Sequence, residues 1–210
     1  MPKVSKLHLD ARRRQILNAA IDCFAADGIH KTTMRDIIRK SGLSMGAIYQ
    51  YFKSKEEIIA TIAAERHRKE IGMIASATKT KDAIDSIRRV VRGFFDLLNE
   101  PGELNRRRAG VQFWAESLRN PSILALARAG IDEPRRKLVN ILRMAQRQGR
   151  IPRNLQPDSL ARVMIAAFQG FILQKAWDDS LDQSAFLITV ETMLDGLVHL
   201  ARTERQPSGP

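Results

Sequence analysis

Cysteine and long apolar runs are both scarce in this chain of 210 residues, and each scarcity removes a class of protein. The one cysteine, Cys23, cannot form an internal disulfide, which excludes a disulfide scaffold. His8, His30, His67 and His199 fall in no metal-ligand spacing, so no metal site is expected. No run approaches the roughly 18 uninterrupted apolar residues of a membrane-spanning helix, and residues 1–10 lack the apolar core of a signal peptide. A cytoplasmic protein without a membrane partner is the expectation. Catalytic signatures are missing too: no P-loop, no G-x-G-x-x-G after a strand, no H-E-x-x-H and no G-x-S-x-G. Ser76-Ala77-Thr78-Lys79 matches S-x-x-K only formally, without S-D-N or K-T-G partners. Neither an enzyme nor a cofactor is expected.

Acidic residues are thin at one end of the chain. Residues 1–55 hold six lysines and five arginines against four aspartates and no glutamate, a net +7. The remaining 155 residues hold 24 basic and 19 acidic residues, a net +5. A basic excess concentrated in a quarter of the chain points to a polyanion such as nucleic acid, or to an anionic surface.

Alternating polar and apolar runs are absent, whereas helical spacing recurs throughout, so the chain reads as all-α. Leu17, Ala20, Ile21, Phe24 and Ala25 line one face of a first helix over about 11–26, with Asp10 as its N-cap and Gly28 past its end. Cys23 packs beside that face. Two short helices follow, one capped by Thr33 and stopping at Ser41-Gly42, the other running from Ser44 to Tyr51. Ser54 and Glu57 form a capping box for a helix to about Ala77. Helices are then expected over 82–99, 103–118, 121–148, 157–178 and 183–203. The leader before Asp10 and the tail 204–210 read as disordered.

Two short helices joined by Ser41-Gly42-Leu43 have the dimensions of a helix-turn-helix, whose second helix lies in the DNA major groove. Ile37, Leu43 and Ile48 can meet beneath the turn. The outer face of the second helix is then Ser44, Met45, Gly46, Tyr49 and Gln50. From Thr33 to Glu56 the chain reads T-x-x-x-I-x-x-x-x-G-L-S-x-G-x-I-Y-x-Y-F-x-S-K-E, which resembles the DNA-binding segment of the TetR family of bacterial repressors. It departs from the family pattern at Ile38, where alanine is common, and at Ala47, where a hydroxyl residue is frequent. The resemblance implies that Tyr49 and Lys55 grip phosphates, that Thr33 anchors its helix on the backbone, and that Ser44, Met45, Gly46 and Gln50 face the bases. Chemistry agrees: hydroxyl and ammonium donors suit phosphate oxygens, Gln50 suits adenine, and Met45 suits a thymine methyl. Arg35, Tyr51 and Lys53 complete the DNA-facing set, Tyr51 having packing as its alternative; Phe52 reads as packing.

The resemblance also implies an organisation: a three-helix DNA-binding domain over 1–55 and a larger helical ligand-binding and dimerisation domain over 56–203. From Val111 to Leu197 the chain is loosely similar to the C-terminal regions of BetI-like members. The helix 160–177 is apolar almost all round and must be covered on both faces. Met164, Phe168 and Phe171 on it, with Phe186, Val190, Met193, Leu194 and Leu197 on the last helix, are the expected interface of a homodimer, an ordinary monomer core being the alternative, and Gly170 would allow close approach. The candidates for a pocket holding a small, partly apolar effector are Phe94, Phe95, Phe113, Trp114 and Trp177, each with core packing as its alternative, and His67, Gln112, Glu116, Gln169 and Gln174 as polar groups. Arg106 to Arg108 read as solvent-facing. The expected function is a dimeric regulator of double-stranded, pseudo-palindromic operator DNA, a repressor released by a small molecule. The alternative is a regulator without an effector, controlled by a protein partner or by its own concentration.

Overall fold

A computed structural model describes residues 6–203, and among them it contains only helices and the turns that join them. They are α1 (Lys6–Asp27), α2 (Met34–Ser41), α3 (Met45–Tyr51), α4 (Lys55–Ala77), α5 (Ala83–Asp96), α6 (Glu103–Ser117), α7 (Pro121–Arg147), α8 (Pro157–Trp177) and α9 (Gln183–Thr203). A single 3-10 turn, Leu97–Asn99, extends α5. The order and limits follow the spacing in the sequence, with one correction. α1 starts at Lys6, so Asp10 lies inside it and not at its cap. Nothing between Lys6 and Asp10 breaks a helix, and a capping side chain alone does not stop one. The tail 204–210 and residues 1–5 of the leader lie outside the described residues.

Two compact units divide the chain: residues 1–67 with 102–129, and residues 68–101 with 130–210. They cut the chain differently from the functional division at residue 55, because α6 packs with α1. Asn105 on α6 donates to Asp22 at 2.7 Å and Arg106 to Asn18 at 2.8 Å.

The first unit is built on the α1 stripe. Leu17, Ala20, Ile21 and Phe24 are buried with Ile37, Ile48, Phe52, Ile58 and Phe113, and Leu43, Tyr51 and Trp114 pack against them. Burying each large apolar side chain contributes about 1.5–3 kcal/mol, enough to fix the angles of helices too short to persist alone. Arg13 adds a polar lock, donating to Glu65 at 2.5 Å with its guanidinium 5.7 Å from the Phe52 ring centroid.

The second unit has its own core, with Ile84, Ile87 and Val90 of α5, Leu138 and Leu142 of α7, and Leu194 and Val198 of α9. Beside it five rings interlock: Phe94 to Phe168 at 5.1 Å, Phe95 to Phe171 at 5.1 Å, and Phe171 to Phe186 at 4.9 Å. Phe171 is completely buried and Leu194 nearly so. These two therefore belong to the core of this unit, a correction to their expected place in an interface. By length and composition α9 is apolar enough to cross a membrane, with mean hydropathy 1.3 over its best window. Its Glu191 and Asp195, however, pair with Arg92 and Arg88 of α5, which ties this helix to protein.

Candidate nucleic-acid interface

Local chemistry fixes the position of α3. Gly42 ends α2 with φ 68°, a left-handed conformation that costs glycine little, while no atom lies near the place a Cβ would take. Backbone conformation, not space, demands glycine there. Beneath the turn Ile37 and Ile48 are fully buried and Leu43 packs against them. Ser44 caps α3 by accepting from the Ala47 N–H at 3.2 Å. The buried side of α3 is thus committed to Ile48, and Ser44, Met45, Gly46, Tyr49 and Gln50 are exposed. Met45 is 56% exposed, unusual for an apolar side chain and consistent with a surface awaiting a partner. Ile38 is accommodated half-buried against the same core.

Thr33 caps α2 in a reciprocal box that the spacing T-x-x-D could have disclosed. Its hydroxyl accepts from the Asp36 N–H at 3.3 Å, while Asp36 accepts from the Thr33 N–H at 2.9 Å and pairs with Arg39 at 2.8 Å. The hydrogen bonds from Thr33 hold the Asp36 carboxyl below the usual carboxylate range. A depressed carboxylate supports the fold at neutral pH, and that support is lost as pH falls through its lowered pKa. Thr33→Ala is expected to cost about 1 kcal/mol, read as a shifted urea midpoint. It should also flatten the loss of stability on acidification; an unchanged midpoint would contradict the cap.

Lys55 has a different employment from a free phosphate donor. Its ammonium donates to the carbonyls of Ile29 at 2.8 Å and Thr32 at 2.9 Å, clamping the turn between α1 and α2 to the start of α4. Three N–H donors leave one for a phosphate oxygen. Lys53 donates to the Tyr49 carbonyl at 2.7 Å and so closes the end of α3. Ser54 accepts from the Glu57 N–H at 3.3 Å, but Glu57 reaches the Lys53 N–H at 2.6 Å, one residue before the cap amide. Tyr51 is half-buried against the core, whereas Arg35 is exposed without a partner among the described residues. Arg14 and Lys40 border an open groove of about 580 Å³ between α1 and α2.

The residues assigned to an effector pocket fall in both units. His67, Gln112, Phe113, Trp114 and Glu116 belong to the first; Phe94, Phe95, Gln169, Gln174 and Trp177 belong to the second. Phe113 is core, Gln112 is exposed with its carbonyl near Gly28, and Glu116 pairs with Arg119. Trp177 is 76% exposed. Trp114 is half-buried, and its indole Nε1 is buried without a hydrogen-bond partner. Arg107 is a further correction: it is buried, not solvent-facing, and its charge is met by Glu103 at 2.8 Å one turn earlier.

Of the expected interface residues, Met193 is 67% exposed, Val190, Met164 and Leu197 are half-buried, and Phe168 and Phe186 join the ring cluster. The outward apolar side chains of α8 and α9 are Val163, Trp177, Ile188, Met193 and Leu200, half of the ten large apolar side chains exposed among the described residues. A helix that is apolar all round does not say which side faces out, so the spacing did not identify four of these five.

An all-helical chain carrying a capped helix-turn-helix with an exposed second helix defines a DNA-binding protein. Residues 16–62 match the model of the bacterial regulatory proteins of the tetR family, and residues 83–199 match the C-terminal model of BetI-type transcriptional repressors. The chain belongs to the TetR family of bacterial transcriptional regulators, with a C-terminal region of BetI type. Such proteins are regulators and not enzymes. It is 24% identical to the HTH-type transcriptional regulator UidR of Escherichia coli K12 over 186 residues, covering 89% of this chain and 92% of that one. Over 65 residues it is 48% identical to the HTH-type transcriptional repressor Rv1474c of Mycobacterium tuberculosis, a match that spans 31% of this chain and 35% of that relative. The solved structure of Salmonella enterica GusR superposes with TM-score 0.73 at 26% identity, covering 94% of this chain and 99% of that one.

Proposed function

We propose that this TetR-type regulator is a cytoplasmic homodimer that represses transcription by occupying a pseudo-palindromic operator, and that a small, partly apolar molecule releases it. The observation that carries the DNA reading is the face Ser44-Met45-Gly46-Tyr49-Gln50, exposed on a helix whose opposite side is locked by buried Ile48. Tyr49 and the third N–H of Lys55 contact phosphates and set the register; Gln50 and Met45 read base edges. Dimerisation is supported by the outward apolar face of α8 and α9, since a helix-turn-helix reads paired half-sites and an exposed face of that kind calls for a cover.

The effector reading rests on Trp114. A buried indole N–H without an acceptor costs about 1–3 kcal/mol, and a ligand that supplies the acceptor recovers it. The effector therefore carries a hydrogen-bond acceptor on an otherwise apolar body. Tenfold release from the operator needs about 1.4 kcal/mol of coupling between the two sites. With Trp177→Phe, Trp114 becomes the sole tryptophan, and its fluorescence reports directly on compounds that reach it. Screening apolar carbonyl and ether compounds against this variant should find ones that change its emission and lower operator affinity. Trp114→Phe should abolish the ligand-induced loss of operator affinity while operator binding by the free protein stays within about twofold. A library that changes neither emission nor operator binding would favour control without an effector.

A further inference from the structure

The net charge of +5 over residues 56–210 has a single source. Residues 134–157 contain seven basic side chains and no acidic one. The loop 78–82 adds Lys79 and Lys81 against Asp82. Removing these two segments leaves 15 basic and 18 acidic residues in the rest of 56–210, a net −3. Counted within the second compact unit alone, residues 68–101 and 130–210, the remainder holds 9 basic and 13 acidic residues, so that unit is acidic except at one place.

That place is one surface. Gln148, just past the end of α7, donates to the Lys81 carbonyl at 2.8 Å and accepts from the Ala83 N–H at 3.1 Å, and Arg150 donates to Asp82 at 2.7 Å. The loop after α4 and the loop after α7 are therefore fastened side by side. Gln146 also holds the α7–α8 loop, donating to the carbonyls of Pro152 at 3.0 Å and Leu155 at 2.8 Å, with Ile151 buried beneath it. On this frame Arg136, Arg143 and Arg147 are exposed and have no acidic partner among the described residues. At 100° per residue they lie within about 40° of one another around α7 and span about 16 Å along it. Exposed Asn140 sits in the same stripe, and exposed Lys79, Lys81 and Arg153 flank it. Elsewhere in this unit Arg88, Arg89, Arg92 and Arg162 each have a carboxylate. Like charges aligned along a helix repel, so folding does not account for the stripe.

We infer that this surface is a second, sequence-independent contact for the phosphate backbone of duplex nucleic acid, separate from the helix-turn-helix. Guanidinium groups match phosphate oxygens in pairs, and a row of them on a rigid helix tracks a linear polyanion. None of the large apolar side chains exposed among the described residues lies in this surface, so it has nothing to insert into a bilayer. Bound to an operator through α3, the protein would hold a second stretch of duplex through α7.

The test uses the full chain with its recognition face silenced by Tyr49→Ala and Gln50→Ala, which keeps failure of this inference distinct from failure of the operator reading. Binding of a 20-bp duplex of arbitrary sequence is followed by fluorescence anisotropy across a salt series. Each phosphate contact adds about 0.9 to the log–log salt slope, so changing Arg136, Arg143 and Arg147 to glutamine should make it shallower by about 2.7 units, whatever contacts the helix-turn-helix retains. Glutamine keeps helix propensity, and an unchanged circular dichroism melt checks that the fold is retained. A slope unmoved by the three substitutions, or no residual duplex binding at all, would overturn the inference. So would retention of phosphatidylglycerol vesicles or poly-glutamate through these arginines in preference to duplex.

Discussion

Charging the outward face of α9, as in Ile188→Glu with Met193→Glu, is expected to turn the protein into a monomer and to lower operator affinity by at least about 10³-fold. Both side chains are mostly solvent-exposed in a single chain, so the fold does not need them. A stable dimer, by contrast, covers at least about 1,200 Å² with an apolar centre, and two carboxylates desolvated there have no partner. Loss of the dimer removes simultaneous reading of two half-sites, which leaves affinity near the non-specific level. Phe168→Glu is the contrasting variant. Its ring lies 5.1 Å from Phe94 and 5.6 Å from Phe95, so that substitution should unfold the chain instead of merely separating two copies. Light scattering should report twice 23.7 kDa for the unmodified protein and that mass itself for the α9 variant. A monomer mass for the unmodified protein at micromolar concentration would refute the interface.

Lys55→Ala and Gln50→Ala are expected to fail in different ways. Lys55 holds the carbonyls of Ile29 and Thr32 and keeps one N–H, which the proposed operator reading gives to a phosphate. Its loss should weaken binding to all duplexes alike, reduce the salt slope by about one unit, and lower thermal stability because two carbonyls lose a charged donor. Gln50 has no structural employment, so Gln50→Ala should leave the melting temperature alone and cost about 1–3 kcal/mol at one base pair of each half-site. Lys55→Ala with a normal melt and an unchanged slope would mean that neither its clamp nor its phosphate contact operates.

The helices and the helix-turn-helix could be read from the chain because local signals and burial agree there. Ser44 caps, Gly42 turns, and Ile37 and Ile48 meet below, so each residue has one role. Lys55 was legible as a basic residue at the right position, but its hold on Ile29 and Thr32 depends on where the turn after α1 arrives, which spacing alone does not give. The outward face of α8 and α9 was illegible for another reason. Phe171 and Val163 are equally apolar, and only packing shows that the first is core and the second is surface. Arg107 reads as a surface residue in the run Arg106 to Arg108, since Glu103 neutralises it only once α6 has formed and been covered.

Selection of duplexes from a randomised pool by the full-length protein tests the central claim most directly. Two recognition helices related by a two-fold axis predict an inverted repeat, its half-sites centred about one helical turn of DNA apart or a multiple of it. The same selection with Gln50→Ala should relax a symmetric pair of positions in that repeat and leave the spacing unchanged. A pool without an inverted repeat, or one that Gln50→Ala leaves untouched, would contradict the assignment of Ser44 to Gln50 as the reading face.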